Sequence, residues 1–114
     1  MKISEIASHL GAVVVCGRDN AGRDVEFGFA SDLMSDVLTL ETDNLVLLTG
    51  LANNQAVRTA EMSDIPCIIF VRNKKVTQEI IELATESNIT LIEYPFSMFK
   101  AVVQLSKAGI KPVF

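Results

Sequence analysis

From Leu45 onward the chain alternates short apolar runs with stretches of helical spacing, and this alternation restricts the fold more than any other feature. Leu45-Val46-Leu47-Leu48 is apolar at every position and runs into the turn Thr49-Gly50-Leu51-Ala52-Asn53-Asn54. Beyond that turn Ala56, Val57 and Ala60 line a small-residue face that lets a helix lie close to a sheet. Pro66 ends the helix, because the residue before a proline is pushed out of the α region. Cys67 to Val71 is a second apolar run. Val76, Ile80, Leu83 and Ala84 stripe the next helix, and Asn88 suits its left-handed C-terminal turn. Thr90 to Glu93 is a short strand, and Phe99, Val102, Val103 and Ser106 give one face of a last helix ended by Gly109 and Pro112. The second half therefore reads β-α-β-α-β-α. Strands joined by single helices form a parallel sheet, and strands apolar at every position are those covered on both faces.

The first half adds to that sheet. Ile3, Ile6, Ala7 and Leu10 stripe a short amphipathic helix, with Ser4 as its expected N-cap and Gly11 as its stop. Ala12 to Cys16 and Val25 to Ala30 read as strands joined by the polar loop Gly17 to Asp24. Ser31 or Asp32 is the expected cap of a second helix, with Leu33, Met34, Val37 and Leu38 on one face and Thr42-Asp43-Asn44 at its end. At 114 residues, 49% hydrophobic, with a mean hydropathy of +0.35, the chain has the material for one core. The expected fold is a single three-layer α/β/α domain over residues 1–114 with a mainly parallel sheet.

Charge narrows the partners. A net charge of −4 works against phosphate backbones and anionic membrane surfaces, so neither nucleic acid nor membrane is expected. Ser4 to Gly11 resembles the opening of a helix-turn-helix, but a strand is expected right after Gly11, where a recognition helix would have to stand. Cys16 and Cys67 lie on apolar strands without metal-ligand spacing and read as reduced core residues. No leader sequence and no run of membrane-spanning length is evident, which predicts a cytoplasmic protein.

In a parallel sheet, ligands collect at the carboxyl ends of the strands. Those ends carry Ser31, Asp32, Thr49, Gly50, Asn53, Asn54, Arg72, Asn73, Tyr94 and Pro95. The first nine are the candidate ligand-binding residues. Each also has a structural reading: Asn53 and Asn54 are ordinary caps, Asp32 and Asp36 a cap and a solvated face position, and Arg72-Asn73-Lys74-Lys75 a solvated turn. Gly17 and Gly22 have P-loop spacing, but Arg23 and Asp24 stand where Lys and Ser/Thr are required. His9 has no partner motif. No catalytic set, metal site or cofactor is expected.

The segments GFASDLMSDVL (Gly28 to Leu38), LLTG (Leu47 to Gly50), QAVRTAEM before IPCIIFV, and the helix Val76 to Ser87 followed by ITLIEYPFSMFKAVVQL resemble the DRTGG-domain family in its short, free-standing form. The resemblance covers nearly the whole chain. That family is similar in turn to the N-terminal domain of HPr kinase/phosphorylase, and it occurs beside CBS domains in regulated pyrophosphatases and attached to phosphotransacetylases. The resemblance implies an α/β domain without catalysis of its own, used for regulation, ligand sensing or subunit association. Where the name-giving Asp-Arg-Thr stretch would follow the central strand, this chain has Leu51-Ala52-Asn53-Asn54.

These observations predict a non-catalytic regulatory domain that takes a partner protein, a small anionic ligand or a nucleotide at the rim around Thr49 to Asn54. The alternative is a small enzyme or phosphocarrier-like protein using Asp32, Ser31 or Cys16. Homo-oligomerisation, as a dimer, is expected from the high apolar content. The tail Ile110 to Phe114 should either pack back on the core or cover a second subunit.

Overall fold

A computed structural model describes residues 1–114. Six strands, β1 (Val13–Cys16), β2 (Phe27–Ala30), β3 (Leu45–Thr49), β4 (Cys67–Phe70), β5 (Thr90–Glu93) and β6 (Lys111–Pro112), form one sheet in the order β1-β5-β4-β3-β2-β6. β2, β3, β4, β5 and β6 run parallel, and β1 closes one edge antiparallel to β5. β3 and β4 are central and buried at every position, as uninterrupted apolar strands covered on both faces must be.

Period-two alternation divides their side chains between two cores. Val46, Leu48, Cys67, Ile69 and Ile92 face helices α1 (Ile3–Leu10) and α5 (Met98–Ala108). Leu45, Leu47, Ile68, Phe70 and Leu91 face α2 (Met34–Val37), α3 (Asn54–Met62) and α4 (Gln78–Glu86). The expected three-layer α/β/α arrangement is therefore present, built from the expected β-α-β-α-β-α half with the two N-terminal strands added on opposite sides of it. Cys16 and Cys67 are free and buried, and burial pushes both thiols up. No helix is long and apolar enough to cross a membrane. β1 follows α1 directly, so Ser4 to Gly11 opens no helix-turn-helix.

Four local expectations give way. Ser4 lies inside α1: Lys2 precedes the helix, and its backbone N–H donates to Glu5 Oε1 at 3.0 Å. Neither Ser31 nor Asp32 caps α2, a single turn preceded by Leu33, since both residues are engaged at the strand ends. Of the four apolar residues assigned to its inner face, Met34 and Val37 are buried, while Leu33 and Leu38 are exposed because so short a helix presents only one turn to the sheet. Val76 precedes α4, whose N-cap is Thr77.

The largest departure concerns α5. Its buried residues are Ala101 and Leu105, and the stripe Phe99, Val102, Val103 and Ser106 faces outward. Ser97 caps the helix by accepting the Lys100 N–H at 3.1 Å, and this cap, together with small Ala101 against the sheet, sets the rotation of the helix.

The C-terminal tail packs back on the sheet. Ile110 is buried, Lys111 and Pro112 pair with Phe27 and Gly28, and the Phe114 ring meets Phe29 edge-on at 6.4 Å.

Candidate functional site

The carboxyl ends of β2, β3 and β4 converge on Asp32. Its Oδ1 accepts the Gly50 N–H at 2.7 Å and the Thr49 hydroxyl at 3.0 Å, and its Oδ2 faces Arg72 Nη1 at 3.3 Å. Three consecutive strand ends are thereby tied through one carboxylate. Thr49 is fully buried, and its Oγ1 accepts the Leu51 N–H at 3.1 Å, which fixes the first step of the turn out of β3. Ser31 closes its own turn: its Oγ accepts the Leu33 N–H at 3.0 Å and donates to the Leu33 carbonyl at 3.3 Å.

Arg72 is held from its backbone. It and Asn73 both take left-handed φ values, +61° and +60°, and the Arg72 N–H donates to the Phe96 carbonyl at 2.7 Å while that of Asn73 donates to the Tyr94 carbonyl at 3.1 Å. Two successive left-handed residues other than glycine turn the chain sharply off β4. They lay the guanidinium against Gly50, so close that a methyl group there would run into Arg72 Nη2. Glycine at position 50 is thus what lets the arginine approach the strand end. The loop is pinned on its far side by Glu93, which accepts the Val76 N–H at 2.9 Å and pairs with Lys75 at 3.5 Å.

The next turn belongs to α3. Asn53 is its N-cap, accepting the Ala56 N–H at 3.1 Å. Asn54 is its first residue, and its amide nitrogen donates to Glu79 Oε1 on α4 at 2.8 Å.

Ser31, Asp32, Thr49, Gly50 and Arg72 are therefore brought together, with Asn53, Asn54 and Asn73 on the adjoining turns. Tyr94 is not part of this surface. Its ring is buried among the side chains that face α1 and α5, because the first residue past β5 turns inward, and it offers the rim only its backbone carbonyl. The sequence reading missed Glu93, Phe96 and Glu79. Of these only Glu93 carried a signal, as a charged residue closing an otherwise apolar strand.

The electrostatics follow from the donors. The Gly50 amide first, then the Thr49 hydroxyl and Arg72, hold the Asp32 carboxyl below its ordinary value of 3.8, against the opposing effect of partial burial. Because its folded value is depressed, the stability this group contributes is present above pH 3.8 and is lost as pH falls through the folded value. Asp32→Asn keeps an oxygen for the Gly50 N–H but carries no charge. Its deficit relative to the wild type is expected to shrink as the pH drops below 3.8, in urea unfolding followed across the acid range. A constant deficit through that window would contradict the assignment. The change is small, since Asp32 and Arg72 are both nearly half exposed and water screens their pairing.

Comparison with known proteins agrees with this architecture. The DRTGG domain profile matches residues 5–108. The chain belongs to the DRTGG-domain family. Among solved structures, this DRTGG domain is similar to the regulatory region of Clostridium perfringens pyrophosphatase, which comprises CBS and DRTGG domains and was solved complexed with the activator diadenosine tetraphosphate. The TM-score is 0.74 at 17% identity, over 96% of this chain and 47% of that one, so the present chain spans about half the length of its structural relative. At that identity the likeness establishes the fold. No curated protein sequence matches.

Proposed function

We propose that this DRTGG domain is a non-catalytic regulatory module that binds a small anionic ligand of the nucleotide or acyl-phosphate class at the Asp32–Arg72 rim and acts through self-association. The observation that carries the reading is the state of Asp32 and Arg72. Asp32 is engaged by three donors and held ionised, which suits a structural anchor and not a proton donor near neutral pH. Arg72 keeps about half of its side chain in solvent and is fixed at its backbone, so its guanidinium is a positioned anion receptor at a strand end. The pyrophosphatase relative, whose regulatory region was captured with a polyphosphate activator, supports this choice of ligand class.

The competing reading, a small enzyme using Asp32, Ser31 or Cys16, has less to work with. Ser31 Oγ is committed to its own turn, and the Cys16 thiol is pushed up by burial, whereas reactive cysteines are shifted down.

The test is a thermal-shift titration of the wild type and Arg72→Ala against ATP, diadenosine tetraphosphate, acetyl phosphate and inorganic phosphate. A ligand that binds only the folded state raises the melting point by mass action, by about 2.7 kcal/mol of stability at a hundredfold excess over Kd. The wild type is expected to gain stability with at least one of these compounds, and Arg72→Ala to lose that gain. Without ligand the variant should melt within a few degrees of the wild type, because an exposed ion pair is worth about 0–1 kcal/mol. An equal gain in both proteins would remove Arg72 from the reading.

A further inference from the structure

A cleft of about 250 Å³ opens between α5 and the β2–β6 edge, on the sheet face that carries Val46 and Leu48. Side chains alternate along a strand, and Gly28 and Ala30 stand in register with Val46 and Leu48, so both turn a small side toward α5. Gly28 has nothing to fill the space with, and a Cβ there would already crowd Ile110 Cγ2 at 3.1 Å. Leu48, Val102, Leu105 and Ile110 supply apolar walls. The only charged side chain in the lining, Lys111, lays its stem along the cleft and pairs its ammonium with Glu26 at 3.5 Å. Such a lining suits a neutral, apolar group and offers little to a phosphate. The volume is just under the ~300 Å³ at which pockets for whole small ligands begin, which limits the occupant to about one ring system.

The open end of the cleft specifies that group further. The Ser31 N–H donates to the Leu48 carbonyl at 3.0 Å, and main-chain groups alternate between the two edges of a strand, so the N–H and carbonyl of Ala30 point away from β3. On that side β6 pairs with β2 only at Phe27 and Gly28, and no strand reaches Ala30. A donor and an acceptor side by side at the end of an apolar cleft match the edge of a nucleobase; adenine, for example, sets its N7 acceptor beside its N6 amino donor. A hydrocarbon chain in the same place would cut both groups off from water without a partner. The cleft also runs out at the rim. Ala30 and Leu48 lie two residues before Asp32 and Gly50, the two places against which the Arg72 guanidinium rests. At about 3.3 Å per strand residue that gap is roughly 7 Å, which a ribose bridges between its base and its first phosphate.

We infer that the cleft is a nucleobase subsite, and that the ligand of the rim is a nucleotide whose base enters between β2 and α5 while its phosphates meet Arg72. This rests on the anion-receiving role of Arg72 proposed above and narrows its ligand to nucleotides.

Isothermal titration with ATP, GTP and inorganic tripolyphosphate, which has the charge but no base, separates the two parts of the site. At least one of the nucleotides is expected to bind the wild type about tenfold or more tighter than tripolyphosphate, as burial of an apolar ring implies. Ala30→Leu and Ser106→Phe fill the cleft from opposite walls, both at exposed positions. Each should bring the nucleotide down to the affinity of tripolyphosphate while leaving tripolyphosphate binding and the melting temperature as in the wild type. Arg72→Ala should weaken nucleotide and tripolyphosphate alike. Equal affinity for all three compounds in the wild type, or a nucleotide preference that survives both cleft variants, would overturn the base subsite and leave the rim standing. So would a protein that takes acetyl phosphate at Arg72 but neither nucleotide. A wild type that binds no phosphate compound would overturn the subsite together with the rim reading.

Discussion

Phe70→Ala is expected to remove about 3–5 kcal/mol from the unfolding free energy, the usual cost of deleting a buried aromatic ring. Phe70 is the last residue of a central strand and has no exposed surface. Its ring belongs to the core beneath α3 and α4, with Leu47, Ile68 and Leu91, so it is enclosed by sheet on one side and helices on the other. Neighbours held this way cannot collapse into the space, and a cavity term adds to the lost transfer energy. A domain of this size has about 5–15 kcal/mol in total, so the variant should be partly unfolded well below the melting point of the wild type. Phe70→Leu, which keeps most of the volume, should recover much of the loss. Urea unfolding followed by far-ultraviolet circular dichroism measures both, and a loss under about 1 kcal/mol in the alanine variant would mean that the core is looser than described.

Gly17→Ala is the second large effect, and here the cause is backbone. Gly17 leaves β1 with φ +81°, and a Cβ there would stand 2.6 Å from Thr90 Cα and 2.9 Å from the Ile89 carbonyl. Those atoms are main chain at the start of β5 and cannot swing aside. The Thr90 hydroxyl also donates to the Gly17 carbonyl at 2.8 Å, so relieving the clash breaks a bond that fastens β1 to β5. Left-handed strain and overpacking together should cost about 2–4 kcal/mol. Gly11→Ala provides the control. It has a similar φ of +63° but nothing near its missing Cβ, and should cost only the conformational part, about 1–2 kcal/mol. Equal losses at the two glycines would contradict the close approach at position 17.

How much of this was readable from the sequence depends on the range of the interaction involved. β3 and β4 were legible because burial on both faces leaves a run of apolar residues, and α3 because its cap, small-residue face and stop agree; α4 was legible from Ile80, Ala84 and its Asn88 stop, while its start at Thr77 was not. The strand ends that make the rim could be named for the same reason. The three contacts of Asp32 could not, because they join residues 17, 18 and 40 positions apart, and a Ser-Asp pair before an apolar stretch reads as local capping. The α5 reading failed in an instructive way: Phe99, Val102, Val103 and Ser106 form a valid helical stripe, but periodicity reports that a face is apolar and not what it meets. Ala101 and Leu105 face the sheet, and the larger stripe is exposed.

Whether the rim at the ends of β2, β3 and β4 receives an anionic ligand can be read by amide chemical-shift mapping. Isotope-labelled protein would be titrated with whichever nucleotide or acyl phosphate stabilises it. Saturable shifts are expected to concentrate on Gly50, Leu51, Asn53, Asn54, Arg72 and Asn73, and to be lost in Arg72→Ala. Shifts that spare these residues, or that are unchanged in the variant, would contradict binding at the rim.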